Sequence, residues 1–396
     1  MSASKYIIAL TSIAVSLPTL VAAQPQAVAV GPMKLIPTVG IQQKYDDNIF
    51  SQATNEVSSA VTVFKPQLQL LAEQDANAVA LTYFGDYGRY ASSSDDNYAD
   101  HTLSLDARLE ANDQNRLALS ASLAKLHDAR GEGSSEGSIA TTRPEPDEYD
   151  SNSLSATYDF GRESALLGLE LSADRTDIEY TNNLAETQYR NRNDSGMSGK
   201  FYGRLAPKTR FFVELAQTDI EYDVLPLSEE SLNSEEQNTS LGMDWEVTGR
   251  TSGSIKIGRV KKNFDAIARN DLTLTNWKAN VLWSPKTYSR LSLSASKAPR
   301  ETNGTGTFIE STDYSAQWSH DWSDYLHGAV NIGFGKEDYV DDTRSDDRTS
   351  YGVSVKYDLD RWVSLTAGYS YTERDSNQNT FDFERSQFLL GVNLSL

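Results

Sequence analysis

The chain has 396 residues, with 36 Lys and Arg against 56 Asp and Glu for a formal charge of -20, 38% apolar residues, 20 Tyr and no Cys. A mean hydropathy of -0.51 excludes a bundle of membrane helices, the acidic balance excludes a nucleic-acid binder, which must meet phosphates with Lys and Arg, and the absence of Cys removes disulfide and zinc-thiolate frameworks. Two classes stay open: a large soluble protein, or a membrane protein whose apolar residues are dispersed along the chain.

Residues 1–23 differ from the rest. Lys5 supplies a positive start, Tyr6 to Leu20 an apolar stretch, and Val21-Ala22-Ala23 small residues before Gln24, which together predict a cleaved secretory signal. At about 1.5 Å per residue the apolar stretch spans roughly 22 Å, short of the roughly 30 Å of a bilayer core. The mature product, 24–396, then carries 35 basic and 56 acidic residues and is expected to form a single domain. No cysteine stands at the cleavage point, so a lipid anchor is not expected, and a Cys-free chain suits an oxidising periplasm.

From Met33 onward, apolar and polar residues alternate with period two, the strand signature. The first strand is predicted over about Met33 to Lys44. Further along, Leu103, Leu105, Ala107 and Leu109 alternate with Ser104, Asp106, Arg108 and Glu110; Leu241, Met243, Trp245 and Val247 with Gly242, Asp244 and Glu246. Val363, Leu365, Ala367, Tyr369 and Tyr371 alternate with Ser364 to Thr372, and the chain ends on Phe388, Leu390, Val392, Leu394 and Leu396, read as the assembly signal of the last strand.

Two kinds of connection take turns between these strands. Short turns are predicted at Gln74 to Asn77, Asn112 to Asn115, Gly161 to Ser164, Leu205 to Lys208, Thr248 to Thr251, Ser284 to Thr287, His320 to Asp324 and Asp358 to Arg361, all built of turn formers. Longer polar segments such as Arg130 to Asp147, Asp223 to Gln237 and Asp338 to Asp347 separate them. The count gives eight short turns, nine long loops and eighteen strands, with sixteen as the alternative.

In hydrocarbon every backbone N–H and C=O needs an internal partner, so a sheet spans a membrane only when it closes on itself. Closure asks for apolar side chains outward, polar ones inward, an even strand number, and short turns at one rim with long loops at the other. The predicted fold is therefore all-β: a transmembrane antiparallel up-and-down barrel with short periplasmic turns and longer external loops. A soluble propeller shares the even strand spacing but has shorter strands and no such alternation of connections. Tyr83, Tyr87 and Tyr90, Trp277 and Trp283, Trp318 and Trp322, and Tyr351 and Tyr357 stand near strand ends, where amphipathic rings suit the membrane boundary.

The segment Gly31-Pro32-Met33-Lys34-Leu35-Ile36-Pro37, running into Tyr45-Asp46-Asp47-Asn48-Ile49-Phe50, resembles the start of the putative β-barrel porin 2 family of Gram-negative outer-membrane proteins. The resemblance implies location in the outer membrane, and an association with exopolysaccharide or capsule gene clusters. Outer-membrane barrels of this kind usually end in an aromatic residue; this chain ends in Leu396, with Phe388 further back.

Barrels of sixteen to eighteen strands leave an aqueous channel. The inward parity assigns to its wall Lys44, Lys65, Arg108, Lys200, Arg204, Lys256, Lys356 and Arg374, and Asp86, Asp106, Glu110, Asp159, Glu170, Glu214, Asp244 and Glu246. These charges either set solute preference or pair across neighbouring strands and hold the barrel. The acidic run of Asp223, Glu229, Glu230, Glu235 and Glu236 reads as a solvated loop, because the spacing of a calcium loop is absent. Whether Arg130 to Asp147 folds into the lumen is not fixed by the pattern.

No catalytic site, metal site or cofactor is expected. His101, His127, His320 and His327 form no metal-binding motif and no G-x-S-x-G elbow occurs; His101 or His127 beside one of many serines is the weaker, enzymatic reading. The expected role is a passive channel for export of an exopolysaccharide or capsule. The alternatives are a general porin for small polar solutes, or a structural or adhesive barrel binding surface glycan or lipopolysaccharide. Expected partners are outer-membrane lipid and lipopolysaccharide, the barrel assembly machinery and polysaccharide export components, with no nucleic acid; oligomeric state is not marked in the sequence.

Overall fold

The computed structural model describes residues 27–162, 164–225, 230–246 and 249–395. The predicted signal, Leu396 at the chain end, and Glu229 in the acidic run lie outside them. After a short β1 (Val28–Val30), eighteen long strands follow: β2 (Met33–Asp46), β3 (Ser59–Gln74), β4 (Asn77–Tyr90), β5 (Tyr98–Asn112), β6 (Asn115–Asp128) and β7 (Asp147–Phe160). Next come β8 (Leu167–Tyr180), β9 (Arg192–Ala206), β10 (Thr209–Tyr222), β11 (Ser234–Glu246), β12 (Thr251–Phe264) and β13 (Leu272–Lys286). The last six are β14 (Ser289–Glu301), β15 (Phe308–Asp321), β16 (Leu326–Val340), β17 (Ser345–Asp360), β18 (Val363–Ser376) and β19 (Phe383–Ser395).

Each strand pairs antiparallel with the next, and β19 pairs back onto β2 from Ser395 opposite Thr38 to Gln387 opposite Asp46. The sheet is thus a closed barrel of eighteen strands, as the period-two alternation predicts. Because β19 reaches only to Thr38, the first residues of β2 would show a bare edge; β1 folds back there, with Val28, Ala29 and Val30 opposite Leu35, Lys34 and Met33.

The eight short connections lie at one rim and the nine remaining ones at the other. Residues 75–76, 113–114 and 207–208 are two-residue turns, and Asp75 adopts a left-handed φ of 55°. Two of the expected loops shorten. Asp338 to Asp347 is mostly strand, since β16 runs to Val340 and β17 starts at Ser345, leaving a turn of 341–344. Part of the local acid is paired: Glu337, just before the segment, is held by Arg300 at 2.9 Å and by Arg348, and Asp346 by Arg344 at 2.5 Å, while Asp341, Asp342 and Asp347 stay exposed. Likewise β11 begins at Ser234, and Glu236 meets Lys262 at 3.0 Å, so the far end of the acidic run is a paired strand and not a solvated loop.

Register separates two faces. Leu105, Leu154, Leu215, Ile257, Phe334 and Leu390, on one parity around the ring, are 45–66% exposed. So continuous an apolar surface is untenable in water and fits lipid. Trp277 and Trp283 lie on that face of β13, Tyr351 and Tyr357 on that face of β17, about 20 Å apart along each strand at ~3.3 Å per residue. Tyr90 differs from its expected place: it stands opposite Val61 on the other parity and packs against a small apolar cluster of Ile49, Phe50 and Ala140 inside the long-loop mouth.

Candidate functional site in the barrel lumen

The inward parity carries hydroxyls, amides and charges because its neighbours across each ladder share the parity. Charges therefore meet in pairs. Lys200 bonds Glu170 at 2.7 Å, and the Tyr202 hydroxyl donates to the same carboxylate at 3.0 Å. Arg210 meets Asp244 at 3.0 Å, Lys256 meets Glu214 at 2.9 Å, Lys65 meets Asp86 at 3.1 Å, and Lys356 meets Asp358 at 2.9 Å. Asp106 accepts from Ser120 at 2.8 Å. Arg108 stands between Ala78 and Ala118 in the register, with Glu110 two residues on. Arg204 and Glu246 lie at the short-turn rim, where the Arg204 guanidinium donates to the Pro207 carbonyl at 2.6 Å and the Glu246 N–H donates to the Lys208 carbonyl at 2.8 Å. Lys44 has no ion pair among the described residues and lies near Lys65, Arg385, Asp86 and Asp46.

At the other rim the connection 129–146, between β6 and β7, leaves the wall and crosses the mouth. Its base is held by Arg130, which bonds Asp96 at 2.5 Å, donates to the Arg143 carbonyl at 3.0 Å and lies 4.2 Å over the Phe50 ring. Arg143 fixes the return, bonding Glu186 at 2.9 Å. The middle is seated by the Gln52 amide, which donates to the Gly137 carbonyl at 2.7 Å, and by Ala140 packed between Ile49 and Phe50. The tip reaches the opposite wall, where Glu136 bonds Arg344 at 2.8 Å and Arg374 at 2.7 Å and accepts from the Asn303 amide at 3.1 Å.

Glycine is required at two places along this strap. Gly131 has φ +91°, and a side chain there would collide with the Phe50 carbonyl; Gly137 has φ +63°, and a Cβ would come within 3.1 Å of the Phe381 ring. Between them Glu132 lies deep within the ring of wall, 3.7 Å from Arg385, yet 56% of its side chain meets water. Loss of hydration inside the ring of wall pushes the Glu132 carboxyl up, against the pull of Arg385, and the hydrogen bond to Asp96 raises the Arg130 guanidinium.

The family model described as putative beta-barrel porin 2 matches residues 22–396. The chain belongs to that family. A search of the curated proteins finds no match. Among solved structures, OpdK of Pseudomonas aeruginosa with vanillate is 14% identical, with a TM-score of 0.49 over 91% of this chain and 99% of that one. OpdO of the same organism is 14% identical, with a TM-score of 0.48 over 91% and 97%. Its OprD is 12% identical, with a TM-score of 0.45 over 94% and 97%.

This porin family member is a porin-like barrel of the outer-membrane type. Its four histidines meet hydroxyl, carboxylate or aromatic neighbours. His101 bonds the Tyr83 hydroxyl at 2.9 Å, His127 bonds Asp100 at 2.8 Å, and His327 sits between Asp321 at 2.7 Å and Asp358 at 3.0 Å. His320 packs among Tyr288, Trp318 and Trp322. Among the described residues no histidine shares a hydrogen bond with a serine hydroxyl, and no three His, Asp or Glu side chains gather as a metal site. Of the expected assembly signal, Phe388, Leu390, Val392 and Leu394 lie on the apolar face of β19, with Phe388 4.8 Å from Tyr369.

Sequence reasoning placed Arg374 on the inner wall but missed Gln52, Arg130, Glu136, Arg143 and Arg344. The available signal was the run Arg130-Gly131-Glu132-Gly133 with Glu136-Gly137 beyond it, charged and glycine-rich in a way a bare linker need not be.

Proposed function

We propose that this barrel is a passive outer-membrane conduit for a secreted polysaccharide, with its short turns in the periplasm and the strap at the external mouth. The observation that carries this reading is the chemistry of the inner wall. Ser153, Ser155 and Thr157 on β7, and Ser292, Ser294 and Ser296 on β14, stand on the inward parity, and the charges among them are largely cancelled in pairs. Such a wall exchanges hydrogen bonds with sugar hydroxyls along its length and holds a chain nowhere strongly, since each water-mediated or direct bond is replaced by an equivalent one a few ångströms on. No chemistry by the protein is needed. Lipopolysaccharide surrounds the long-loop rim, the barrel assembly machinery inserts the chain, and polysaccharide export components deliver the polymer from the periplasmic side.

One observation favours a second reading. The strap crosses the mouth, which suits a closed structural or adhesive barrel. Planar-bilayer recording separates the readings: the conduit gives discrete conductance steps, reduced reversibly by oligosaccharide added on the short-turn side. A barrel that inserts and gives no steps would overturn it. Steps unaffected by oligosaccharide, with free passage of monosaccharides, would leave a general porin for small polar solutes.

A further inference from the structure

We propose that Arg344 and Arg374 form a carboxylate-binding site, and that Glu136 is a tethered occupant which an acidic sugar, a uronate, displaces to release the strap. This rests on the conduit reading and names the class of polymer it carries.

Both arginines are held independently of Glu136. Arg344, in the 341–344 turn, bonds Asp346 through Nε and Nη2 and lies between the rings of Tyr339 at 4.3 Å and Phe381 at 3.7 Å. Arg374, on β18, donates to the Phe381 carbonyl at 2.7 Å and lies 4.7 Å over Phe383. Their side chains are 0% and 7% exposed. The cationic pair is thus part of the wall, whereas Glu136 arrives from the opposite side of the barrel on a strap.

Charge and donor count then point to a ligand. With Glu136 away, two buried guanidinium groups face Asp346 alone, an excess of one positive charge that a low-dielectric site leaves strongly in need of an anion. Arg344 Nη1 and Arg374 Nη2 have no hydrogen-bond partner although both are buried. One carboxylate from Glu136 therefore uses only part of what the site offers. A uronate adds a ring oxygen and hydroxyls beside its carboxylate and meets those spare donors, and the Asn303 amide supplies another. Planar guanidinium donors suit this planar anion.

The tether makes the site a switch. A carboxylate on a short loop competes at an effective concentration on the order of millimolar, so small anions at lower concentration leave the strap closed, while a polymer presenting a uronate at every repeat supplies a comparable local concentration. Occupancy by the polymer removes the strap's two close ion pairs with the far wall and leaves only the packing of Gly137 on the Phe381 ring and the longer Glu132–Arg385 approach among the described contacts there.

The test uses the purified full-length barrel and its Glu136→Gln variant, with galacturonate as probe and galactose as neutral control. Calorimetric titration is expected to show galacturonate binding about tenfold tighter in the variant if the clasp is open roughly a tenth of the time, with galactose silent in both. Arg374→Gln, its folding checked by heat-shifted gel mobility, is expected to lose galacturonate binding. Single-channel recording is expected to show longer open periods for Glu136→Gln and for the natural protein in galacturonate. Equal galacturonate affinity in the two proteins, or galactose binding as well, overturns the site even where conductance steps are present. Absence of steps with tighter binding in the variant overturns the conduit and leaves the site standing.

Discussion

Asp46, the last residue of β2, and Arg385, the third of β19, form a bidentate pair across the seam where the first long strand meets the last, with Nη2 to Oδ2 at 2.6 Å and Nε at 3.0 and 3.1 Å. The Gln387 side-chain amide donates a hydrogen bond to the same carboxylate at 2.6 Å. Breaking a buried pair from one side leaves an uncompensated charge and costs about 3–5 kcal/mol. Asp46→Ala is therefore expected to lower the temperature at which the folded barrel loses its compact gel mobility. The double variant with Arg385→Gln is expected to lose less than the sum of the two singles; strict additivity would show the pair to be uncoupled.

The two faces of β18 and β19 should respond oppositely to one substitution. Leu365 and Val392 stand opposite each other on the apolar face, Thr366 and Asn393 on the inward one. Level with Tyr357 near the short-turn rim, Arg at either of the first two is expected to cost up to about 1 kcal/mol, the interfacial end of the range for a lipid-facing cation, and Arg at either of the second two less. Urea titration in lipid vesicles measures both. Equal damage on both faces would contradict the inside-out arrangement.

Seating of the strap depends on backbone that only glycine adopts easily. Gly131→Val and Gly137→Val each combine a positive φ with a collision, against the Phe50 carbonyl and the Phe381 ring. The barrel is expected to assemble normally while single-channel conductance rises, because the strap no longer lies down. Unchanged conductance would mean that the strap does not narrow the path.

The pH response of the strap follows from Glu132. Its carboxyl is raised by loss of hydration in the mouth, so the seated strap binds a proton more readily than the free chain does. The ionised form thus opposes seating above the raised value, and that opposition is lost as pH falls through it, being absent below about 4.3, the ordinary glutamate value. Glu132→Gln is expected to slow hydrogen exchange across 131–142 at pH 7.5 and to match the natural protein at pH 4. Faster exchange at pH 7.5 would show that attraction to Arg385 outweighs the loss of hydration.

The barrel was legible because a two-residue period leaves no other way to satisfy both water and lipid. Phe388 to Leu394 and Leu103 to Leu109 declare their face from sequence alone, and the parity rule extends each declaration to the strands beside them. The strap was not legible, for a physical reason. A loop has no period, and the partners of Glu136 lie 208 and 238 residues away at Arg344 and Arg374, joined only once the sheet has closed. Asp338 to Asp347 misled in the opposite direction. Dense acid reads as solvated loop, yet Asp346 is neutralised by Arg344 from the turn itself, and Glu337 beside it by Arg348 of the same hairpin and Arg300 of β14.

The short β1 has a consequence for how copies of this barrel meet. By lying along Met33, Lys34 and Leu35, it covers part of the edge of β2 that the described residues of the final strand do not reach, and exposed strand backbone is where chains exchange or add segments. At those three positions a neighbouring molecule crowded in the same membrane meets strand backbone that is already paired.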